Sequence, residues 1–374
     1  MTLREQVAGA QRVVVKIGSS SITGTDGRID IGQMNALVDA IAAARESGRD
    51  VVVVSSGAVA AGMDPLGLKV RPRDLAGQQA AASVGQGLLL ARYASLFEAH
   101  GLRVGQVLLS GEDVSRQRSY ANARRTFTRL LSLGIVPIVN ENDTVATHEL
   151  GFGDNDRMAA LVAHLVGADL LVLLSDVDGL YTDHPARPGA QKIGEVAEVD
   201  DLQVDTSKRG TAVGRGGMTT KLEAAKIATH AGVTTVLARA TDVAAALAGE
   251  PVGTVFHASG RRRSRRLLWL AYASRATGVL TLDAGAVRAV VERKASLLPA
   301  GVTGYSGEFS AGDPVRLDGP DGALVGHGLV NYDADDLPGI LGRTTRELVA
   351  ERGEAFDKEL VHRDAMILRK RFRG

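Results

Sequence analysis

Six short runs of branched apolar residues punctuate the first two-thirds of the chain: Arg12 to Ile17, Val51 to Val54, Arg103 to Leu109, Ile135 to Val139, Leu170 to Leu174 and Val233 to Leu237. Each is apolar at consecutive positions rather than alternate ones, the pattern of a strand covered on both faces in a mostly parallel sheet. Between them lie alanine- and leucine-rich stretches of helical length, such as Gln33 to Ser47 and Leu75 to Ala99, with Gly48 and Gly101 at their exits. Strands alternating with helices predict a three-layer α/β unit. The pattern changes near Gly260. A basic run (Arg261, Arg262, Arg263, Arg265, Arg266) and the only tryptophan, Trp269, are followed by strand patterns at Val279 to Asp283, Pro314 to Asp318 and Ala323 to Val330. Turn chemistry such as Gly319-Pro320-Asp321-Gly322 separates them. The expected organisation is an α/β domain over 1–262, a linker over 263–275, a smaller β-rich domain over 276–357 and a tail over 358–374.

Composition narrows the chemistry. With 374 residues the chain exceeds the size at which one core usually keeps growing, in keeping with two domains. A net charge of +1 provides no overall attraction to nucleic acid or membrane, and the arginine run reads as a solvated linker. The absence of cysteine removes disulfides, thiolate nucleophiles and Cys-ligated zinc. No apolar run approaches the roughly 20 residues that span a bilayer, and MTLREQVAGAQ at the start lacks the apolar centre of a signal peptide. The expectation is a soluble, cytoplasmic protein with no membrane partner.

Polar residues gather where the strand patterns end. Lys16 closes the first, followed by Gly18, Ser19, Ser20 and Ser21; the second runs into Ser55, Ser56 and Gly57. In open α/β sheets ligands bind at the carboxyl ends of strands, so both turns point to one crevice. The fourth runs into Asn140-Glu141-Asn142-Asp143, and Gly153-Asp154-Asn155-Asp156 follows after a short loop. Such a crowd of acids and amides suits a substrate bearing an ammonium and a carboxylate, although Asp154 and Asn142 also suit a helix cap and a turn. The fifth ends in Ser175-Asp176, which could border a nucleotide, and Asp178-Gly179 reads as a turn. Tyr181 suits packing on an adenine or on the core, and both readings stand.

Farther on, Gly214 to Lys221 reads GRGGMTTK: a glycine run entering a helix and ending in a lysine. Backbone amides at a helix start form an anion site, and a nearby lysine adds a mobile positive charge. Two lysines beside a phosphate-binding loop fit attack on a nucleotide γ-phosphate by an anion. Like unit charges 4 Å apart repel by about 4 kcal/mol at an effective dielectric near 20, so each lysine can offset part of that barrier. A carboxylate nucleophile needs no general base, because with a pKa of about 4.3 it is ionised at neutral pH. Magnesium is then expected on the phosphates, with no metal site built by the protein. No Gly-x-x-x-x-Gly-Lys-Ser/Thr occurs, no Gly-x-Gly-x-x-Gly follows the first strand, and no Gly-x-Ser-x-Gly elbow appears. The histidines, His148 included, lack a metal-binding pair spacing.

These segments, VVVKIGSS (Val13 to Ser20), VVVVSSGAVAAG (Val51 to Gly62), IVPIVNENDTVAT (Ile135 to Thr147), GDND (Gly153 to Asp156), LLSDVDGLYT (Leu173 to Thr182) and GRGGMTTK, resemble the amino acid kinase family, in particular its members that phosphorylate glutamate. Thr277 through Leu337 looks like the PUA domain of bacterial members, and VHRDAMIL (Val361 to Leu368) is similar to their tail. The resemblance implies the amino acid kinase fold and ATP-dependent phosphorylation of the L-glutamate γ-carboxylate, the first step of proline synthesis. It implies that Lys16 and Lys221 stabilise the transferring phosphoryl group while Asp156 holds them. Ser56, Asp143 and Asn155 would bind glutamate, supported by Asn140 and Asp154. Lys16, Ser175, Asp176, Arg215, Gly216, Gly217, Met218, Thr219, Thr220 and Lys221 would line the ATP site. Inhibition by proline near Glu149 and a homodimer or homotetramer are further implications. The chain departs from the usual pattern with Ser175 and Arg215 where threonine is frequent, which bears on ATP affinity. Another carboxylate or carbamate kinase of the same fold is the nearest alternative. RNA binding by the PUA-like segment is disfavoured by its acids Asp313, Asp318, Asp321, Asp333, Asp335 and Asp336, the basic runs, with Arg369 to Arg373, lying at its edges.

Overall fold

A computed structural model describes residues 2–24, 28–115, 117–145, 155–183, 185, 187, 189–202, 217–258 and 276–369. The chain divides into two compact units, Met1–Arg263 and Ser264–Gly374. The arginine run and Trp269 lie outside the described residues. The elements of the first unit run α1 (Leu3–Ala8), β1 (Arg12–Ile17), α2 (Ile31–Glu46), β2 (Asp50–Val54), α3 (Ala58–Met63), α4 (Leu75–Glu98), β3 (Val104–Leu109), α5 (Gly111–Ser115), α6 (Gln117–Ser132), β4 (Val136–Glu141), α7 (Asn155–Val166) and β5 (Leu170–Ser175). After three two-residue strands, β6 (Leu180–Tyr181), β7 (Lys192–Ile193) and β8 (Glu195–Val196), come α8 (Met218–His230), β9 (Thr234–Arg239), α9 (Val243–Ala248) and β10 (Thr254–Phe256). Helix starts are fixed locally: Asp30 Oδ1 accepts from Gln33 N at 3.1 Å, and Asp74 Oδ1 from Gly77 N at 2.7 Å.

The strands form an eight-stranded sheet in the order β3-β4-β2-β1-β5-β9-β10-β8, parallel except where β10 meets β9. β1 lies between β2 and β5, with Lys16 level with Val54 on one side and Leu173 on the other. Successive strands go to one side of β1 up to β4, and β5 falls on the other. This change of direction opens a crevice at the carboxyl ends of β1, β2, β4 and β5. Val13, Val14, Val15, Val52, Val172 and Leu173 are fully buried, as strands covered on both faces require. No helix among the described residues is long and apolar enough to cross a membrane.

Two glycines set the packing below the crevice. A Cβ on Gly62 in α3 would lie 1.9 Å from the Ala81 carbonyl oxygen, and one on Gly85 in α4 would lie 1.8 Å from that of Ala58. The backbones of α3 and α4 therefore meet at a separation open only to glycine. Since α3 begins directly after the Ser55-Ser56-Gly57 turn, this crossing locks the turn to α4.

The second unit contains β11 (Gly278–Leu282), α10 (Ala284–Val291), β12 (Val302–Gly307), β13 (Pro314–Asp318), β14 (Leu324–Val330), α11 (Thr345–Arg352) and β15 (Val361–Leu368). Its sheet runs β12-β11-β13-β14-β15, over a core that includes Leu280, Val315, Leu317, Val325 and Leu348. The segment Val361 to Leu368, set apart in the sequence as a tail, is the edge strand β15, antiparallel to β14. Asp321 Oδ1 accepts from Ala323 N at 3.0 Å in the turn between β13 and β14.

The glycine crossing yields a paired expectation. Gly85→Ala forces a backbone clash and should cost about 1–3 kcal/mol or more, whereas Gly87→Ala, in the same helix with nothing within 4 Å of its Cβ, should stabilise by about 0.5–1 kcal/mol. Thermal unfolding midpoints that fall for the first and rise for the second bear this out; equal midpoints would show that α3 and α4 can separate without cost.

Candidate active site

The centre of the crevice is a charged triad drawn from three elements. Lys16 comes from β1, Asp156 from the first turn of α7 and Lys221 from the first turn and a half of α8. Lys16 Nζ lies 2.5 Å from Asp156 Oδ1, and Lys221 Nζ donates to Asp156 Oδ2 at 2.9 Å. Thr220 Oγ1 is 3.2 Å from Oδ2 and donates to the Gly217 carbonyl at 2.8 Å. The three are 4%, 0% and 8% exposed, respectively, for Lys16, Asp156 and Lys221, so their charges act with little screening by water. α7 is buried along its length from Met158 to Val166, which carries Asp156 into the interior. Burial alone would raise the Asp156 pKa; the attraction and hydrogen bonds of Lys16 and Lys221 instead lower it to about 2. The triad itself carries two positive charges and one negative.

One side of the triad is built of hydroxyls and amides. Asn155, next to Asp156, shares the two hydrogens of Nδ2 among the Ser55 carbonyl at 2.7 Å, Ser56 Oγ at 2.8 Å and Asn140 Oδ1 at 3.0 Å. Asn140, buried at the end of β4, accepts from Glu141 N at 2.9 Å and donates to Gln86 Oε1 of α4 at 2.6 Å. The buried Ser55 hydroxyl donates to the Ser56 carbonyl at 3.1 Å, so Tyr93 of α4 donates to Ser55 Oγ at 2.9 Å. Burial pushes the Tyr93 phenol up to about 12, and it stays neutral. Asp143 stands beyond β4, where it shares the lining of a cleft of about 280 Å³ with Ser83, Gln86, Gln106, Glu141 and Asn142. Asn142 also shapes the turn it was expected to form, accepting from Thr144 Oγ1 at 2.6 Å.

The other side faces α8. Gly217 is its N-cap in extended conformation and offers no side-chain cap, so the positive end of α8 opens at a residue without a side chain. At the end of β5, Ser175 is buried and donates to Asp176 Oδ1 at 2.9 Å, while Asp176 is exposed. Tyr181 donates to Asp178 at 3.1 Å and is half-buried.

Lys16, Lys221, Asp156, Ser56, Asn155 and Asn140 are thus brought together by hydrogen bonds and ion pairs. Asp143 lines the cleft beyond β4, and Asp176 accepts from Ser175 at the end of β5. Asp154, Glu149, Arg215 and Gly216 lie outside the described residues. Thr220, expected only as part of the nucleotide loop, also touches Asp156. Gln86 and Tyr93 were not expected: both sit inside an alanine-rich helix pattern whose spacing carries no polar signal.

Comparison with known proteins adds to this geometry. The amino acid kinase family profile matches residues 11–238, and the PUA domain profile matches residues 278–351. The chain is 58% identical over 367 residues to a glutamate 5-kinase of Streptomyces coelicolor, with 98% of each chain covered. It is 57% identical over 368 residues to a glutamate 5-kinase of Streptomyces avermitilis, again with 98% of each covered. In fold it is similar to carbamate kinase from Giardia lamblia bound to AMP-PNP, with a TM-score of 0.50 at 15% identity, covering 67% of this chain and 100% of that one. A mostly parallel sheet with a lysine–aspartate–lysine triad at its carboxyl edge, a profile match over most of the chain and relatives of this similarity lead to one conclusion: the chain belongs to the amino acid kinase family.

Proposed function

We propose that this chain transfers the γ-phosphoryl group of ATP to the γ-carboxylate of L-glutamate, giving γ-glutamyl phosphate and ADP, and so opens proline biosynthesis. The observation that carries the reading is the buried triad with a hydroxyl-amide pocket on one side and the glycine-headed start of α8 on the other. Relatives named glutamate 5-kinase, similar over nearly the whole chain, support the same substrate.

In this reading the glutamate carboxylate oxygen attacks the γ-phosphorus in line with the oxygen that bridges to the β-phosphate. The new O–P bond forms as the bridging bond breaks, and the electron pair leaves with ADP. No proton moves, because the nucleophile is already an anion. Lys16 and Lys221 stabilise the charge on the transferring oxygens. Asp156 keeps both ammonium groups on one spot instead of letting them repel apart. Ser56, Asn155 and Asp143 bind glutamate, with Asn140 and Asp154 in support. Gly216 to Lys221, with Arg215, Ser175 and Asp176, line the nucleotide. Magnesium accompanies the phosphates and supplies further charge neutralisation when bound.

The reading extends to proline inhibition at a site overlapping that for glutamate, around Glu149, to a homo-oligomeric assembly and to a cytoplasmic location. It keeps a kinase domain over 1–262 separate from the PUA-like domain, with RNA binding outside its main function.

The direct test is ATP- and magnesium-dependent formation of acyl phosphate from L-glutamate, trapped with hydroxylamine. The native chain should be active, and Lys221→Ala should lose about 10²–10³-fold in kcat while staying folded, because Lys16 still pairs with Asp156. Activity on a different carboxylate or on carbamate, with none on glutamate, would overturn the substrate assignment.

Asp156→Asn should behave differently. It leaves two buried lysines without their carboxylate and should cost about 3–5 kcal/mol of stability at neutral pH. The folded-state pKa of about 2 lies below the ordinary 3.8, so the stabilisation is complete above 3.8 and is lost as pH falls toward about 2. Denaturant midpoints of the native chain and Asp156→Asn should therefore differ by a constant amount above pH about 5 and converge in acid; a gap independent of pH down to that range would exclude a charge-based role.

A further inference from the structure

We propose that Gln86, on α4, is a positioning residue that holds the hydrogen-bonding polarity which two backbone groups set at the amino-acid end of the crevice. The proposal deepens the reading of that end as the place where an amino-acid substrate is held.

A side-chain amide can turn over and exchange its oxygen for its nitrogen, so a pocket built of amides needs something that cannot turn to set its sense. Two backbone groups do so. The Ser55 carbonyl can only accept, and it takes Asn155 Nδ2 at 2.7 Å. The Glu141 amide can only donate, and it gives to Asn140 Oδ1 at 2.9 Å. With these fixed, Asn140 Oδ1 also faces Asn155 Nδ2, at 3.0 Å. The far end of the Asn140 amide, Nδ2, then points toward α4 and requires an acceptor, and Gln86 Oε1 supplies it at 2.6 Å.

The outcome for a ligand is definite. Asn155 spends its nitrogen on Ser55, Ser56 and Asn140, so what it can offer is its acceptor oxygen. Ser56 Oγ already accepts from Asn155, so what it can offer is its hydroxyl hydrogen. An acceptor beside a donor is what an ammonium and a carboxylate on one carbon require. Turning Asn140 over would set its Nδ2 against the Asn155 nitrogen and the Glu141 amide, three donors together. Gln86 adds to the preference for the productive orientation by satisfying the buried Asn140 Nδ2 there.

The position of Gln86 is itself held. Its neighbour Gly85 is packed against the backbone of α3. Tyr93, seven residues on and so on the same face two turns away, grips Ser55. α4 therefore touches both ends of the amide network, from a helix that contributes nothing to the charged triad. With its oxygen on Asn140, Gln86 directs Nε2 away from that bond, and its side chain lines the cleft shared by Gln106 and Asp143.

The test compares Gln86→Met, similar in length and helix preference but without the acceptor, with Gln86→Glu, which keeps an oxygen for Asn140. Steady-state kinetics on the full chain should show Gln86→Met raising the KM for glutamate about tenfold, the cost of stranding one buried donor, with the KM for ATP and the thermal midpoint unchanged. Gln86→Glu should restore the glutamate KM to within about threefold of the native value, since the oxygen toward Asn140 is retained. An unchanged glutamate KM in Gln86→Met overturns the proposal, as does equal damage in both variants or a parallel rise in both KM values with a lowered midpoint. If the native chain makes no acyl phosphate from glutamate, the functional reading fails separately. The positioning role is then decided by a crystal structure of Gln86→Met: Asn140 and Asn155 turned from their native hydrogen bonds uphold it, and the same bonds retained sink it.

Discussion

A carboxylate with no exposure to water would not survive in this interior without the two ammonium groups that meet it, and the crevice is organised around that requirement. Asp156 sits on a helix buried from Met158 to Val166, so its placement is imposed by the packing of α7. Once it is there, Lys16 and Lys221 must come to it, although they arrive from a strand at the centre of the sheet and from a helix after the fifth strand. The ion pairs therefore do more than join side chains. They tie the two halves of the sheet, on either side of β1, to a common point.

The neutral hydrogen bonds serve a different end. Around Ser55, Ser56, Asn140 and Asn155 no net charge is at stake, and what the structure controls is direction. Backbone groups with a single possible role set the sense, and α4 secures it from behind through Gln86 and Tyr93. The two kinds of interaction meet at adjacent residues, Asn155 and Asp156, so the first turn of α7 joins the part of the site that recognises to the part that neutralises charge.

Much of this was legible in the sequence because buried parallel strands leave a plain trace of consecutive branched residues. The run at Ile135 to Val139 loses that trace where the chain turns polar, yet the strand continues to Glu141 because Leu109 pairs with it across the ladder. Asn140 is thus held in the sheet, where the sequence placed it just beyond. The triad residues could be named from motif and position. Their supports could not: Gln86 reaches Asn140 across 54 residues of sequence and Tyr93 reaches Ser55 across 38, separations for which a helical pattern carries no mark. Val361 to Leu368 was illegible as a strand for another reason. Its burial does not alternate, and its ladder with β14 is interrupted between Gly328 and Val330.

Lys16 stands in a strand whose other residues after Arg12 are valine and isoleucine, level with Val54 and Leu173. Neighbours so alike provide little chemical means of telling one alignment from the next. A slip of one residue would turn every side chain of β1 to the opposite face of the sheet, setting Val15 before Asp156 and driving the lysine into the hydrocarbon on the other side. The buried charge thus acts as a proofreader of strand alignment: among many apolar pairings of similar worth, only one brings an ammonium to the carboxylate, and the same error that misaligns the sheet would also disarm its crevice.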